Sequence, residues 1–330
     1  MSLTYRRVNP LDHAASIKRL FVDQGRPEFP DWFERAYPVL VGKGGSSWVA
    51  IDSAGEVQLH IATFPVQLNV GGVPIKAMLF SNLMASTAHR SFLPTAGLLR
   101  YAVAGMKRDG VDLAYAPPGN DGALAVVRAA GFAVMGRTAR FVQITGDRRW
   151  PLHWAAGWLL AVRGTLGGRC RVESCGVREA AAYLAVAKTA EETTLEAVRA
   201  PELYDLRLAG FGGEDDRGFL IRDSTGALVG AALLRLDREA RLARLVSIRC
   251  SSFRIAAAAL VRIGQQARAL GVARVTSNVL VQSPRARALG MAGFLERPET
   301  TPLAAQAFTD AGREALAAIG TSDLEDIDLD

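Results

Sequence analysis

Few residues in this 330-residue chain have types and spacings suited to chemistry. The first is His60, within Glu56-Val57-Gln58-Leu59-His60-Ile61-Ala62. Strand alternation puts Val57, Leu59 and Ile61 on one face and Gln58, His60 and Ala62 on the other. An imidazole there is a candidate proton acceptor; the alternative is a structural core histidine. His89 is the second candidate, followed directly by Arg90-Ser91-Phe92-Leu93. Tyr115, in Val111-Asp112-Leu113-Ala114-Tyr115-Ala116, offers a phenol, with a buried core tyrosine as the alternative.

Other chemistries lack their residues. Gly42-Lys43-Gly44-Gly45-Ser46-Ser47 is not a Walker loop, and the chain contains no Gly-x-Ser-x-Gly elbow. Cys170, Cys175 and Cys250 cannot all pair, and with four scattered histidines they form no zinc spacing, so no metal is expected. Unpaired cysteines, no apolar leader and no run of roughly 18 apolar residues lead to an expected cytoplasmic location. The net charge is +6, although Thr321–Asp330 holds five acids and no base. The excess elsewhere suits an anionic ligand or a solvated surface.

The elements that must position these residues occur twice. Trp48-Val49-Ala50-Ile51-Asp52-Ser53-Ala54-Gly55 matches Phe219-Leu220-Ile221-Arg222-Asp223-Ser224-Thr225-Gly226, an apolar run ending in Asp-Ser-x-Gly, which predicts a hairpin turn. A helix follows in each copy. Leu98, Leu99, Ala102, Val103 and Met106 keep helical spacing in one, and Leu260, Ile263, Ala267 and Leu270 in the other. Gly110 and Gly271 read as C-caps, followed by strands from Val111 and Val272. Each copy then has a short helix ending in Gly-Phe, at Gly131-Phe132 and Gly293-Phe294. Before the first hairpin, Asn9-Pro10 predicts a helix start and Asp31–Leu40 a short helix broken by Pro38. The second copy opens with expected helices over Gly176–Ala190 and Leu195–Gly210. The fold class is α/β, two tandem domains, each a mixed central sheet flanked by helices. The expected layout is 1–146, a linker helix at 147–172, 173–320, and an acidic tail at 321–330.

On these residues the chain resembles the GNAT (Gcn5-related N-acetyltransferase) superfamily, in tandem form. Leu83–Leu99 looks like the family's central-strand end and phosphate loop, and Pro117–Phe132 like its Asn-started helix closed by Gly-Phe. Ser247–Ile263 and Ser283–Phe294 match more weakly. The resemblance implies acyl transfer from acetyl-CoA or a related acyl-CoA to an amine, without a metal. It implies a carrier site at Leu83, Ala85, Arg90, Ser91, Phe92, Leu93 and Asn120. It leaves His60, Tyr115 and His89 as candidates for proton transfer. Laying the family's Arg/Gln-x-x-Gly-x-Gly/Ala loop on Arg90 puts Leu93 and Thr95 at its small positions, with Pro94 between. The family's helix tyrosine is replaced by Val127 and Leu289.

Between the copies, Trp150, Trp154 and Trp158 share one helical face. The readings are an inter-domain helix or contact with a membrane surface. The expected acceptor is a small-molecule amine or amino-sugar precursor, with no specific nucleic acid. Two rival readings remain: an aminoacyl-tRNA-dependent transferase on the same tandem fold, and a non-catalytic binding module. The acceptor's identity, the acyl length and the oligomeric state stay open.

Overall fold

A computed structural model of the protein describes residues 3–146, 170–187, 195–198 and 216–319. The linker tryptophans and the acidic tail lie outside the described residues. Two compact units emerge: one takes Met1–Met135 and Thr301–Ala317, the other the remainder of the chain.

The first unit begins with β1 (Thr4–Val8). Asn9 then accepts from Leu11 N through its side chain at 3.1 Å and opens a short turn with Pro10 in place, leading to α1 (Ala14–Asp23). α2 (Phe29–Gly42) runs unbroken through Pro38, contrary to the expected break. Pro38 and Glu34, whose carbonyl loses its helical donor, are both exposed, so water can serve that carbonyl. β2 (Ser46–Ile51), β3 (Val57–Val70) and β4 (Val73–Ala85) form an antiparallel meander behind β1. The predicted Asp-Ser-x-Gly turn joins β2 to β3. There Asp52 accepts from Ala54 N and Glu56 N, and Gly55 takes φ 86°. α3 (Phe92–Arg108) follows, then β5 (Leu113–Ala116) and α4 (Asp121–Ala129). All five periodic positions of α3 are buried, with Trp48, Leu59, Ile61 and Phe80 in the same core.

The second unit repeats the plan. Its chain includes β6 (Ala133–Ile144), β7 (Arg171–Cys175), α5 (Val177–Val186), β8 (Leu195–Val198), β9 (Asp216–Arg222), β10 (Leu228–Asp237) and β11 (Leu242–Cys250). Next come α6 (Phe253–Ala269), β12 (Arg274–Leu280) and α7 (Pro284–Met291), then β13 (Leu295–Ala307) and α8 (Asp310–Ala317), which belong to the first unit from Thr301 onward. Where a helix was expected from Leu195, the first four residues form β8; the rest of that segment is outside the described residues. Leu270 is a helix C-cap at 49% exposure rather than a core position. The second hairpin repeats the first, with Asp223 accepting from Thr225 N and Ala227 N.

Within each unit every strand pair is antiparallel except one. In the first unit the order is β1-β2-β3-β4-β5-β13, with β4 and β5 parallel; in the second it is β7-β9-β10-β11-β12-β6, with β11 and β12 parallel. The last strand in each unit's order comes from the other repeat. The chain leaving Gly131-Phe132 becomes β6 and pairs with β12, while the chain leaving Gly293-Phe294 becomes β13 and pairs with β5. A linear boundary near residue 146 therefore does not describe the units.

The exchange gives the Gly-Phe pair a physical role. Gly131 and Gly293 take φ 96° and 88°, which glycine adopts without steric cost. Each exchanged strand brings a glutamine to that turn, opposite the second residue of the parallel strand: Gln306 faces Ala114 and Gln143 faces Val275. Gln143 Nε2 donates to the Ala292 carbonyl at 2.9 Å. A Cβ on Gly131 would lie 2.8 Å from Gln306 Nε2 and displace that amide, and any L side chain would be strained at φ 96°. Phe132 and Phe294 are both buried, and Phe132 meets Phe80 edge-on at 5.6 Å.

Candidate active site

The site grows from the one parallel pair in the first unit. β4 and β5 are in register only over Ala77–Leu79 and Leu113–Tyr115. β4 continues to Ala85, beyond the end of that register. Two features set the divergence. On the β5 side, Pro117 and Pro118 follow Ala116, and neither has an N–H to extend a ladder. On the β4 side, Asn82 takes φ 56°, and the register with β3 slips between His60 and Ala62. Asn82 and Leu83 then oppose Ile61 alone, a β-bulge that bends the strand.

The closed end of the V is clasped by Asp112. Its N–H donates to the Lys76 carbonyl at 2.9 Å, and its carboxylate accepts from Lys76 N at 3.0 Å. The same residue anchors the exchanged segment: Thr309 Oγ1 donates to Asp112 Oδ1 at 2.7 Å, and Phe308 N to the Asp112 carbonyl at 2.8 Å.

Beyond the open end, Ser86–Ser91 leads into α3. Ser91 is the N-cap by backbone geometry but makes no side-chain cap, so the first amides of α3 keep no side-chain acceptor there. Tyr5 OH donates to the Pro94 carbonyl at 3.1 Å and fixes this first turn to β1. Six of the seven predicted carrier residues lie along the end of β4 and the start of α3; Asn120 lies at the start of α4. Leu83 and Ala85 pack against the core on the diverging part of β4. Arg90, Ser91, Phe92 and Leu93 are exposed at the helix start, Leu93 at 78%. Arg90 bonds Gln24, the C-cap of α1, which also accepts from Thr87. Uncapped amides, a helix dipole and Arg90 suit a phosphate-bearing ligand. Pro94 contributes no donor to such a ligand. Asn120 uses its side-chain oxygen on Ala123 N at 2.9 Å, which makes it the N-cap of α4.

The proton-transfer candidates separate. His60 is at 0% exposure. Its Nδ1 lies 3.0 Å from the Asn82 carbonyl, and its Nε2 lies 2.9 Å from Ser47 Oγ and 3.3 Å from Tyr37 OH. A carbonyl only accepts, so Nδ1 carries the proton and Nε2 accepts from a hydroxyl. Burial pulls the pKa down to about 4, against a smaller opposing effect from the Asn82 bond. A fully enclosed, neutral ring cannot serve an acceptor arriving from solvent, which corrects the general-base expectation. Tyr115 is also buried, in the centre of β5 between Leu79 and Ala305, and is a core residue rather than an acid at the cleft mouth. His89 sits on the loop before α3, half-buried, with Nδ1 3.2 Å from Ser86 Oγ.

Sequence reasoning missed Asn82 and Pro117-Pro118. The proline pair was a visible signal; the left-handed asparagine was not. It also underrated the second unit. There β11 and β12 are in register only over Leu242–Arg244 and Arg274–Thr276, and Val246 forms a bulge just beyond. The loop differs: only Ser251 and Ser252 join β11 to α6, and Ser252 caps the helix by accepting from Ile255 N at 3.2 Å.

A meander, one splayed parallel pair and a helix entered from the splay, present twice, define two tandem GNAT folds. The solved structures agree. The chain is similar to a protein of Enterococcus faecalis V583 described as conserved, of unknown function and a probable N-acyltransferase. That match has a TM-score of 0.64 and 11% identity over 96% of this chain and 74% of the other. It is also similar to a tandem GNAT protein from the clavulanic acid biosynthesis pathway (TM-score 0.56, 13% identity, 93% and 99% covered). A third likeness is the N-myristoyltransferase of Saccharomyces cerevisiae with bound myristoyl-CoA (TM-score 0.54, 9% identity, 93% and 79% covered). No family model matches the sequence, and no curated protein does. Among the described residues, no helix is long and apolar enough to cross a membrane, and no group of three or more His, Cys, Asp or Glu could hold a metal ion.

Proposed function

We propose that the first unit binds an acyl-CoA and transfers its acyl group to an amine of a small molecule or amino sugar. The observation that carries this reading is the divergence of β4 from β5 beyond Leu79–Tyr115, leading into an α3 N-terminus without a side-chain cap. The bound myristoyl-CoA and the acyltransferase description of the structural neighbours support the carrier class; acetyl is the acyl group we favour.

In this reading the main-chain edge of β4 past Phe80 pairs with the amide-rich arm of the carrier. An amide there polarises the thioester carbonyl as charge develops on its oxygen. Phe92 N, Leu93 N and the Arg90 guanidinium hold the diphosphate. The amine attacks the thioester carbon, the C–N bond forms as the C–S bond breaks, and the thiolate leaves with modest need for an acid. The amine's proton goes to water or to His89, the imidazole on the loop that borders the helix start. The second unit keeps the divergence, but Ser252 already occupies its helix start, so the first unit is our choice for the active one.

Isothermal titration with coenzyme A tests this. Saturable binding is expected, weakened by Arg90→Ala together with a shallower salt dependence. No heat at millimolar coenzyme A would refute the reading.

A further inference from the structure

We propose that His60 is a positioning residue: through the Asn82 carbonyl it holds the left-handed residue from which β4 departs from β5. The proposal rests on the acyl-CoA reading of the same edge and extends it to a buried network that touches no ligand.

Asn82 and Arg241 are the non-glycine residues with positive φ among those described. Asparagine tolerates this conformation better than other residues with a Cβ, but it still favours ordinary angles, so the conformation is settled by what the surroundings hold. Here the holder can be traced. Asn82 comes three residues after the last β4–β5 pair and within the bulge opposite Ile61. Its carbonyl accepts from His60 Nδ1–H. The other side of the ring reaches Ser47 on β2 and Tyr37 on α2, and Phe21 of α1 lies edge-on at 5.5 Å. The imidazole thus relays the placement of three packed elements to one carbonyl. His60 and Ser47 are both at 0% exposure, so the ring's bond to β2 is sealed from bulk solvent, while the Asn82 carbonyl that it reaches lies on a half-buried residue. Loss of the ring releases Asn82 to ordinary backbone angles, which removes the bulge and changes where the following amides of β4 point.

The full chain and its variants are compared by titration with coenzyme A and by hydrogen exchange of the segment 80–86. His60→Ala is expected to weaken coenzyme A by about tenfold, roughly 1.4 kcal/mol, and to speed exchange in that segment. His60→Asn, whose amide N–H can stand in for Nδ1–H, stays within about threefold of the parent. Asn82→Val leaves His60 intact but disfavours positive φ and drops the Asn82 side-chain bond to Tyr37, so it should weaken coenzyme A at least as much as His60→Ala. The deciding protein is His60→Ala with Asn82→Gly: glycine takes φ 56° unaided, so affinity and exchange return toward the parent values. Parent-like binding and exchange in His60→Ala would overturn the proposal. So would a folded double variant as weak as the single one. If the parent binds no coenzyme A, the acyl-CoA reading fails, while exchange of 80–86 across the same variants still decides whether His60 holds the bulge.

Discussion

The burial of His60 predicts a pH dependence of stability that can be worked from the structure. Its pKa falls to about 4 in the folded chain, against about 6.5 for an unperturbed histidine. Between these values the unfolded chain binds a proton that the folded chain refuses. Protons bound in the unfolded state exceed those in the folded state, so stability rises with pH across this window and falls on acidification. Integrating the two titrations from pH 7 to pH 5 gives a loss of about 2 kcal/mol; continued to pH 4 it approaches about 3 kcal/mol. The groups facing the ring are Tyr37, Ser47, Phe21 and the Asn82 carbonyl. The Tyr37 hydroxyl is pushed well above the usual phenol range by burial and stays neutral throughout. The assay is urea unfolding at pH 7, 6 and 5 of the parent and of His60→Asn, which cannot titrate. The parent should lose about 2 kcal/mol more than the variant between pH 7 and 5. Parallel losses would show that the folded chain protonates His60 normally, and the enclosed, neutral ring would be wrong.

Two further predictions concern parts of the fold that frame the cleft. A Cβ on Gly105 would sit 2.1 Å from the Trp48 ring, so Gly105→Ala must push α3 off β2. A destabilisation of about 1–3 kcal/mol is expected by urea unfolding, and a neutral result would mean that the helix does not approach the ring so closely. Asp112→Ala removes the acceptors of Lys76 N and Thr309 Oγ1. It should cost about 2 kcal/mol and speed hydrogen exchange in residues 304–308; unchanged exchange there would show that the clasp does not anchor the exchanged strand.

The parts of the fold legible in the sequence are those set by local rules. Asp-Ser-x-Gly turns, the Asn9-Pro10 start and the apolar face of α3 are each dictated within a few residues. The turn joining Val70 to Val73 has φ 55° and 89° at its two glycines, as a tight hairpin requires. The failures involve partners far along the chain. Alternation can announce a strand after Phe132, but nothing in Ala133–Ile144 says that its neighbour is Arg274–Leu280 rather than Leu113–Ala116. His60 shows the same limit at the site. Its type and face were readable; that Tyr37 and Ser47 would enclose it was not, because those contacts close loops of 23 and 13 residues through packing.

The two copies share a backbone device but differ in the chemistry that supports it. In the first unit the second pair from the end of the central strand is His60 opposite Met84; in the second it is Ala231 opposite Arg249. Each pair carries one buried polar hub. His60 draws on β2 and α2 to hold a bulge carbonyl. Arg249, at 5% exposure, donates to the carbonyls of Leu184, Ala187 and Ala197, binding the C-terminal end of α5 and β8 to the strand end. A guanidinium that serves the last carbonyls of a helix complements its dipole and costs more to remove than a neutral ring. A buried cation committed to main-chain carbonyls fixes its strand end against the chain's own segments, whereas the neutral imidazole fixes only the bulge and leaves the edge beyond it to a ligand. The asymmetry therefore falls where a carrier would bind, and it follows from one cross-strand position filled in two ways.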